Sequence, residues 1–426
     1  MGWPRRSTRI VINNPASHLH GVYVPHAPAP KRGFRKRYVV IILLLALFVG
    51  WFFLPKSTDN PRQTVTSETP PSQTTETTSK TVRVIATGDI IPHDALNAAA
   101  KNGDTYDYYQ FMKNMQPYFD ASDVRFCNQA VLGGGVQFGI KGYPVFNSPL
   151  ELARDMNKLG CNVVNTGSNH TNDLGQAEID ATVASWDDKP NMLAVAGANR
   201  SDAEKQKVRL FEKSGVTFAF LSYTSYTNEP GKTSYGLTMF SESFAKKQLA
   251  EARAKADIII VSMRWGTEYS HDINSQQTAQ SKFLANNGAD IVLGHGPHAL
   301  QPFKKITGEN GHISYTWFSL GNFLNAQLEA DSLVSSIAMM DIDVQSKKIA
   351  TLGYLPIYMH YEWTAQQKAR EDLMARKNFA MHLLEESAEP LTCSQLGTSV
   401  DVQQTRVKKL LGPETNMLTK SEFLRR

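Results

Sequence analysis

The sequence predicts an α/β domain preceded by one transmembrane helix. Three observations carry this reading: a charge-free apolar run at residues 38–54, a polar stretch behind it, and short β-branched runs that alternate with helix-like segments from residue 81 onward.

The apolar run reads YVVIILLLALFVGWFFL. It is roughly 17 residues long, which at the short end suffices to cross a bilayer as a helix. A buried core helix would show a polar face, and this run has none. Trp51, Phe52 and Phe53 supply an interfacial aromatic belt. Lys31, Arg32, Arg35, Lys36 and Arg37 stand just before it, and basic residues stay on the cytoplasmic side. The expected protein is therefore a single-pass cell-membrane protein with a cytoplasmic N-terminus and its main domain outside. No small-x-small cleavage site follows Leu54, so an anchor is expected rather than a removed signal peptide.

Residues 1–37 carry little periodicity and read as a mostly disordered basic tail. Residues 55–80 are rich in Ser, Thr, Pro and Gln, cannot bury enough apolar surface to fold, and read as a linker. The formal net charge of +5 is concentrated in the short basic stretch, so nucleic acid is not implied as a partner.

In the globular part, strands are expected at 82–86, 124–127, 163–165, 193–196, 217–222, 257–262, 291–293 and 314–318. Two later runs, 336–344 and 349–358, alternate more strongly and read as antiparallel. Helices are expected over 148–159, 175–186, 241–254 and 275–286. We place the domain at 81–361. The remainder, 362–426, reads as a helix over 366–385 followed by a loosely ordered end. The three cysteines lack CxxC spacing. Cys127 and Cys161 each fall on a predicted buried strand, where a bridge is geometrically conceivable, but two buried thiols are the expectation.

Ligands of α/β sheets gather at the carboxyl ends of strands. Here Gly88-Asp89 follows the first strand, Asn128 the second, and Gly167-Ser168-Asn169-His170 the third. Later strands lead into Arg264-Trp265-Gly266-Thr267-Glu268, Gly294-His295-Gly296-Pro297-His298 and Gly321-Asn322. An Asp or Asn after one strand is often only a turn former or helix cap. Repetition at the same end of successive strands, with His170, His295 and His298 among the donors, points instead to a polar site able to hold a borderline metal.

Six stretches in this order, TGDIIPHD (87–94), GYPVFNSP (142–149), NTGSNHTNDLG (165–175), RWGTEY (264–269), GADIVLGHGPHALQP (288–302) and SLGNF (319–323), resemble the CapA family of capsule and poly-γ-glutamate synthesis proteins. The resemblance covers about residues 81–361. It implies a calcineurin-like metallophosphatase-type β-sandwich flanked by helices, with metal held by loops at one edge. By position it implies Asp89, Asn169, His170, His295 and His298 as metal ligands, and His93 matches a His found in a subset of the family; in an enzyme, Glu268 or His93 would move protons. Asn128, Asn147, Arg264 and Asn322 are the substrate-binding candidates.

The chain departs from the family pattern at three places. Asn128-Gln129-Ala130 stands where Asn-x-Glu is usual, Arg264-Trp265-Gly266 where His-Trp-Gly is usual, and Gly296 where some members have His. A guanidinium does not ligate metal. One divalent ion at most is therefore expected, with Mn, Fe, Zn or Mg as candidates.

The function implied is capsule or poly-γ-glutamate biosynthesis or export, with possible metal-assisted hydrolase or transferase chemistry on an anionic polymer or capsular glycan. The alternative is a non-catalytic component that anchors or guides the polymer beside membrane synthase subunits. A metal-dependent phosphoesterase ranks third.

Overall fold

The computed structural model describes residues 80–394 and 396–425. The tail, the apolar run at 38–54 and nearly all of the linker lie outside the described residues. Among the described residues, no helix is long and apolar enough to cross a membrane.

The fold is mixed α/β, with two large sheets. In chain order the strands are β1 (Thr81–Ile91), β2 (Val124–Gln129), β3 (Val163–Asn165), β4 (Ala194–Ala196), β5 (Arg209–Lys213), β6 (Val216–Thr224), β7 (Ile258–Arg264), β8 (Ile291–His295), β9 (Leu300–Thr307), β10 (Ile313–Leu320), β11 (Asn322–Asn325), β12 (Val334–Asp343), β13 (Lys348–Glu362), β14 (Lys377–Leu383) and β15 (Asn416–Met417). The first sheet runs β14-β13-β12-β1-β2-β3-β4, with β11 beside β1 and β15 beside β13; the second runs β9-β10-β8-β7-β6-β5. The two later alternating runs are antiparallel as expected, β12 pairing β13 from Val334↔Tyr358 to Asp343↔Lys348.

Strand β7 shows why the second sheet forms. Its sequence, IIIVSMR, is buried along its whole length and lies parallel between β6 and β8. Both faces must then be covered, which a near-continuous apolar run allows. Ile258 and Ile260 join the large core shared with Val84, Ala86 and Phe126 of the first sheet. Ile259, Val261 and Met263 alternate to the opposite face, where they meet Ala245 and Leu249 of the helix Glu242–Arg253 and Leu284 of the helix Ser275–Asn286. Both helices start where local chemistry satisfies free backbone N–H groups: Ser241 accepts from Phe244, and Asn274 with Gln277 forms a reciprocal capping box.

Two expectations are corrected. Residues 366–385 do not form a helix; after the short helix Ala365–Ala369 the chain enters β14, which pairs with β13 from Ile357↔Leu383 to Glu362↔Lys377. Tertiary pairing with an open sheet edge overrides the helix-favouring composition. The expected loose end is instead packed: Val407 and Leu411 of the helix Val400–Leu411 and Phe423 near the C-terminus are fully buried in the main core. All described residues belong to one compact unit, so 362–426 is no appendage.

The second correction concerns the cysteines. Cys127 on β2 and Cys161, just before β3, form a disulfide. Cys127 pairs opposite Val164, three residues beyond Cys161, and the two cysteine Cα atoms lie 5.8 Å apart, within bridging range. Cys393 is free and exposed.

Candidate functional site

Strand register builds the site. In the first sheet, Asn322 pairs opposite Asp89, Asp89 opposite Asn128, and Asn128 opposite Asn165, so four polar residues from β11, β1, β2 and β3 form one row across the carboxyl ends. In the second sheet, His295 pairs opposite Arg264, and Arg264 opposite Thr224. A register irregularity between Ala86 and Asp89 re-aims the end of β1. Gly88 is required there, because a Cβ would fall 2.2 Å from the Gly321 carbonyl oxygen.

The row is hydrogen-bonded laterally. Asn128 donates Nδ2–H to Asp89 Oδ1 at 2.6 Å, Asn165 donates to Asn128 Oδ1 at 2.6 Å, and Ser222 donates to Asn165 Oδ1 at 2.5 Å, tying the two sheets together. Asp89 is wholly buried. Burial alone would raise its pKa, but His295, His298 and the Arg264 charge outweigh that and hold it far below the usual carboxylate range. His295 lies flat on Phe126 with ring centres 5.4 Å apart, and burial keeps its imidazole neutral against the pull of Asp89, 3.6 Å away.

Arg264, 2% exposed, reaches across from the end of β7. Its Nε donates to Asn169 Oδ1 at 2.8 Å, Nη2 faces Glu268 Oε1 at 3.3 Å, and Nη1 stands 3.8 Å from Asp89 Oδ2. The next residue anchors it: Trp265 is fully buried, stacks on Phe318 at 5.6 Å, and donates its indole N–H to the Phe318 carbonyl at 2.9 Å. Side chains so placed contribute about 3–5 kcal/mol, which fixes the guanidinium by fixing the chain beside it.

Four of the described buried polar atoms without an aligned hydrogen-bond partner gather at this site: Asp89 Oδ2, which has His298 Nδ1 2.9 Å away, Arg264 Nη1, and Nδ1 and Nε2 of His295. Buried polar groups are usually paired, so several unpaired ones in one place make it a candidate binding site. Beside them opens a cleft of about 240 Å³ lined by His93, Tyr143, Phe146, His170, Glu268, Tyr269, His298, Gln327 and Arg376, among others. His298 (φ 56°) and Tyr269 (φ 60°) both adopt the left-handed conformation on its wall, a local strain that clusters at functional sites.

The sequence candidates thus fall into three groups. Asp89, Asn128, Asn169, Arg264, Glu268, His295, His298 and Asn322 are joined by the contacts above and by His298 Nδ1 to Asn322 Oδ1 at 2.9 Å. His93 and His170 stand at the cleft, edge-on to Phe146 at 5.6 and 4.7 Å. His170 is oriented by Asp173 Oδ2 at 2.8 Å. Burial, with repulsion from His298 and Arg376, pushes the His93 imidazole down to about 3, so it stays neutral, and its Nδ1 accepts the Ala326 N–H at 3.3 Å. In this structure the ring is therefore a hydrogen-bond acceptor at Nδ1. Asn147 stands apart: its amide is fully engaged with the backbone of Gly134, Gly135 and Gly139, where it staples a loop.

Sequence reading missed Asn165, Tyr226, Asn228 and Arg376. Asn165 opens the stretch NTGSNHTNDLG and sits at a strand end, so its position was a usable signal. Tyr226 lies under the Arg264 guanidinium at 5.5 Å, and Asn228 accepts from Asn169 at 3.1 Å; both follow β6, whose end carries no glycine-flanked polar pair. Arg376 precedes β14, in the segment expected to be helical.

The donor set was tested against a divalent ion. Asn169 Oδ1 already accepts from a guanidinium, and a permanent cation with only N–H groups faces Asp89. The residues present do not fit a metal ion. Among the described residues, no group of three or more His, Cys, Asp and Glu side chains is placed to hold one.

Residues 83–327 match the family model described as "Bacterial capsule synthesis protein PGA_cap". Among curated proteins, the chain is 27% identical over 241 residues to "PGA biosynthesis protein CapA" of Bacillus subtilis (strain 168), covering 56% of this chain and 60% of that protein. It is 30% identical over 182 residues to "Capsule biosynthesis protein CapA" of Bacillus anthracis, covering 41% of this chain and 42% of that one. The matched region thus spans less than two thirds of either relative. Among solved structures, a phosphatase from Mycoplasma pneumoniae aligns with a TM-score of 0.42 at 12% identity, covering 66% of this chain and 94% of that one.

Proposed function

From the premise that this chain belongs to the bacterial capsule synthesis protein family, matched over residues 83–327, we propose that it is a membrane-anchored, extracytoplasmic component of capsule or poly-γ-glutamate biosynthesis. In this reading its two-sheet core is a metallophosphatase-type sandwich, and its cleft handles an anionic polymer beside membrane synthase subunits. The observation that carries it is the in-register row Asn322, Asp89, Asn128 and Asn165 facing Arg264 and His295, with unpartnered buried atoms beside an open cleft. The apolar run at 38–54 with its basic flank supports the anchoring, and the Cys127–Cys161 bridge supports an oxidising location.

Within this reading, holding the polymer is favoured over cleaving it. Ala130 supplies no carboxylate, His93 is neutral, and Arg264 offers only donors. The experiment is complementation: a strain lacking the gene is given the wild-type chain or Asp89→Asn, and cell-associated polymer is measured. Restored polymer with the wild type and none with Asp89→Asn is expected. Unchanged polymer in the deletion strain would refute the function. Protease added to intact cells should remove the domain, and full protection would refute the topology. Incubating the full chain with purified polymer separates the two modes, since a holding protein co-sediments with it and leaves its length unchanged.

A further inference from the structure

We infer that the Arg264 guanidinium is the resident cation of this site, standing where a metal ion would have to sit, and that it takes a carboxylate oxygen of the ligand directly, with no metal between them. For the source of that carboxylate, the inference rests on the polymer reading above. For the identity of the cation, it rests on geometry alone.

Two of the oxygens that a divalent ion would draw on, those of Asp89 and Asn169, face Arg264 instead, at 3.8 Å from Nη1 and 2.8 Å from Nε. Oxygen–metal bonds of about 2.0–2.6 Å would bring an ion against this group. The guanidinium is 2% exposed and stays protonated at any accessible pH, so the repulsion is neither screened by water nor relieved by losing a proton.

Gly296 belongs to the same device. A Cβ there would fall 2.3 Å from Nη1 and 2.8 Å from Cζ of Arg264, so the guanidinium fills the space that any side chain at 296 would need. Arg264 and Gly296 are therefore complementary: the guanidinium lies over a residue that has no side chain.

The guanidinium is also incompletely used. Nε and Nη2 have acceptors, while Nη1 is buried without a hydrogen-bond partner, 3.8 Å from Asp89 Oδ2. A buried guanidinium N–H without an acceptor is the donor half of a charge-assisted hydrogen bond, and a carboxylate oxygen is its natural partner. Arg376, on the wall of the adjoining cleft and stacked near Tyr361 at 5.5 Å, adds a second positive charge for a repeating anionic chain.

The test uses the full chain purified in detergent. Its content of Mn, Fe and Zn is measured as isolated and after dialysis against each ion, and binding of a γ-linked glutamate oligomer is titrated in EDTA. The wild type is expected to hold no stoichiometric metal and to bind the oligomer with EDTA present. Arg264→Lys should weaken that binding on the order of tenfold, because a point charge replaces a planar fork, and Arg264→Ala should abolish it. Melting curves show whether each variant is folded. One equivalent of tightly held metal in the wild type overturns the inference, as does oligomer binding that EDTA abolishes or that a folded Arg264→Ala retains. If the metal result stands and no oligomer binds to the wild type under any condition, the carboxylate assignment falls, and with it the polymer reading, while the guanidinium remains the site's cation.

Discussion

Nδ1 of His298 lies 2.9 Å from Asp89 Oδ2 and also 2.9 Å from Asn322 Oδ1, so one ring nitrogen stands between two side-chain oxygens. Arg264 Nη1 stands 3.8 Å from the same carboxylate oxygen, while His298 Nε2 is 4.0 Å from Glu268 Oε1. Asp89 thus balances the buried Arg264 charge and holds the His298 ring at the same time.

Asp89→Asn should consequently act twice. Polymer output should fall to that of a strain lacking the gene. Loss of the anion opposite a buried guanidinium should also cost about 3–5 kcal/mol of stability. Chemical denaturation of the purified variant measures the second effect, and unchanged stability would mean that Glu268 alone balances Arg264.

The Cys127–Cys161 bridge closes a loop with a sequence separation of 34. A loop of that size restricts the unfolded chain enough to contribute about 3–4 kcal/mol. Replacing both cysteines with Ala should lower the unfolding free energy by that amount in urea titration. Thiol counting should find only Cys393 reactive in the native oxidised chain, and all 3 cysteines reactive after denaturation and reduction.

Glu178 is fully buried with neither carboxylate oxygen hydrogen-bonded, and burial, then repulsion from Asp173, pushes its pKa up to about 8. The folded state therefore holds a proton that the unfolded chain releases near pH 4.5. Any stability tied to this proton is complete below that pH and declines as pH rises towards 8. Glu178→Gln should remove the decline and raise stability at pH 8 by about 1–3 kcal/mol. Melting curves at pH 5 and pH 8 decide it: wild type and variant should differ only at the higher pH.

Arg83 forms a two-point pair with Asp341, at 2.8 and 3.0 Å, and its remaining nitrogen donates to the Phe423 carbonyl. Asp341→Ala leaves a buried guanidinium without its carboxylate and should destabilise the domain by about 3–5 kcal/mol. Truncation after Glu414 should also sharply increase protease sensitivity, since it removes the buried Phe423.

Much of the site was legible in the sequence because parallel strands place their last residues at one edge, and Asp89, Asn128, Arg264 and His295 are all such residues. Register could not be read in the same way, so the row's continuation to Asn165 and the tie through Ser222 emerged only in three dimensions. Residues 366–385 misled because a strand that closes a sheet edge is selected by its neighbour β13, not by its own helix-favouring residues. The cysteines read as two thiols for a related reason: whether they come within bridging range is set by how the chain enters β3, which no spacing reveals. Asn147 looked like a ligand contact from its motif, whereas its amide hydrogen-bonds only to loop backbone.

The clasp between Arg83 and Phe423 also dictates an order of events. Arg83 is on the first described strand, and Phe423 lies 340 residues further along the chain. At synthesis rates of about 5–20 residues per second, the central strand β1 must wait many seconds for this partner. Until it arrives, a buried cation and the apolar surface around it lack part of their covering. A chain cut short before residue 423 would carry every residue of the site without that covering.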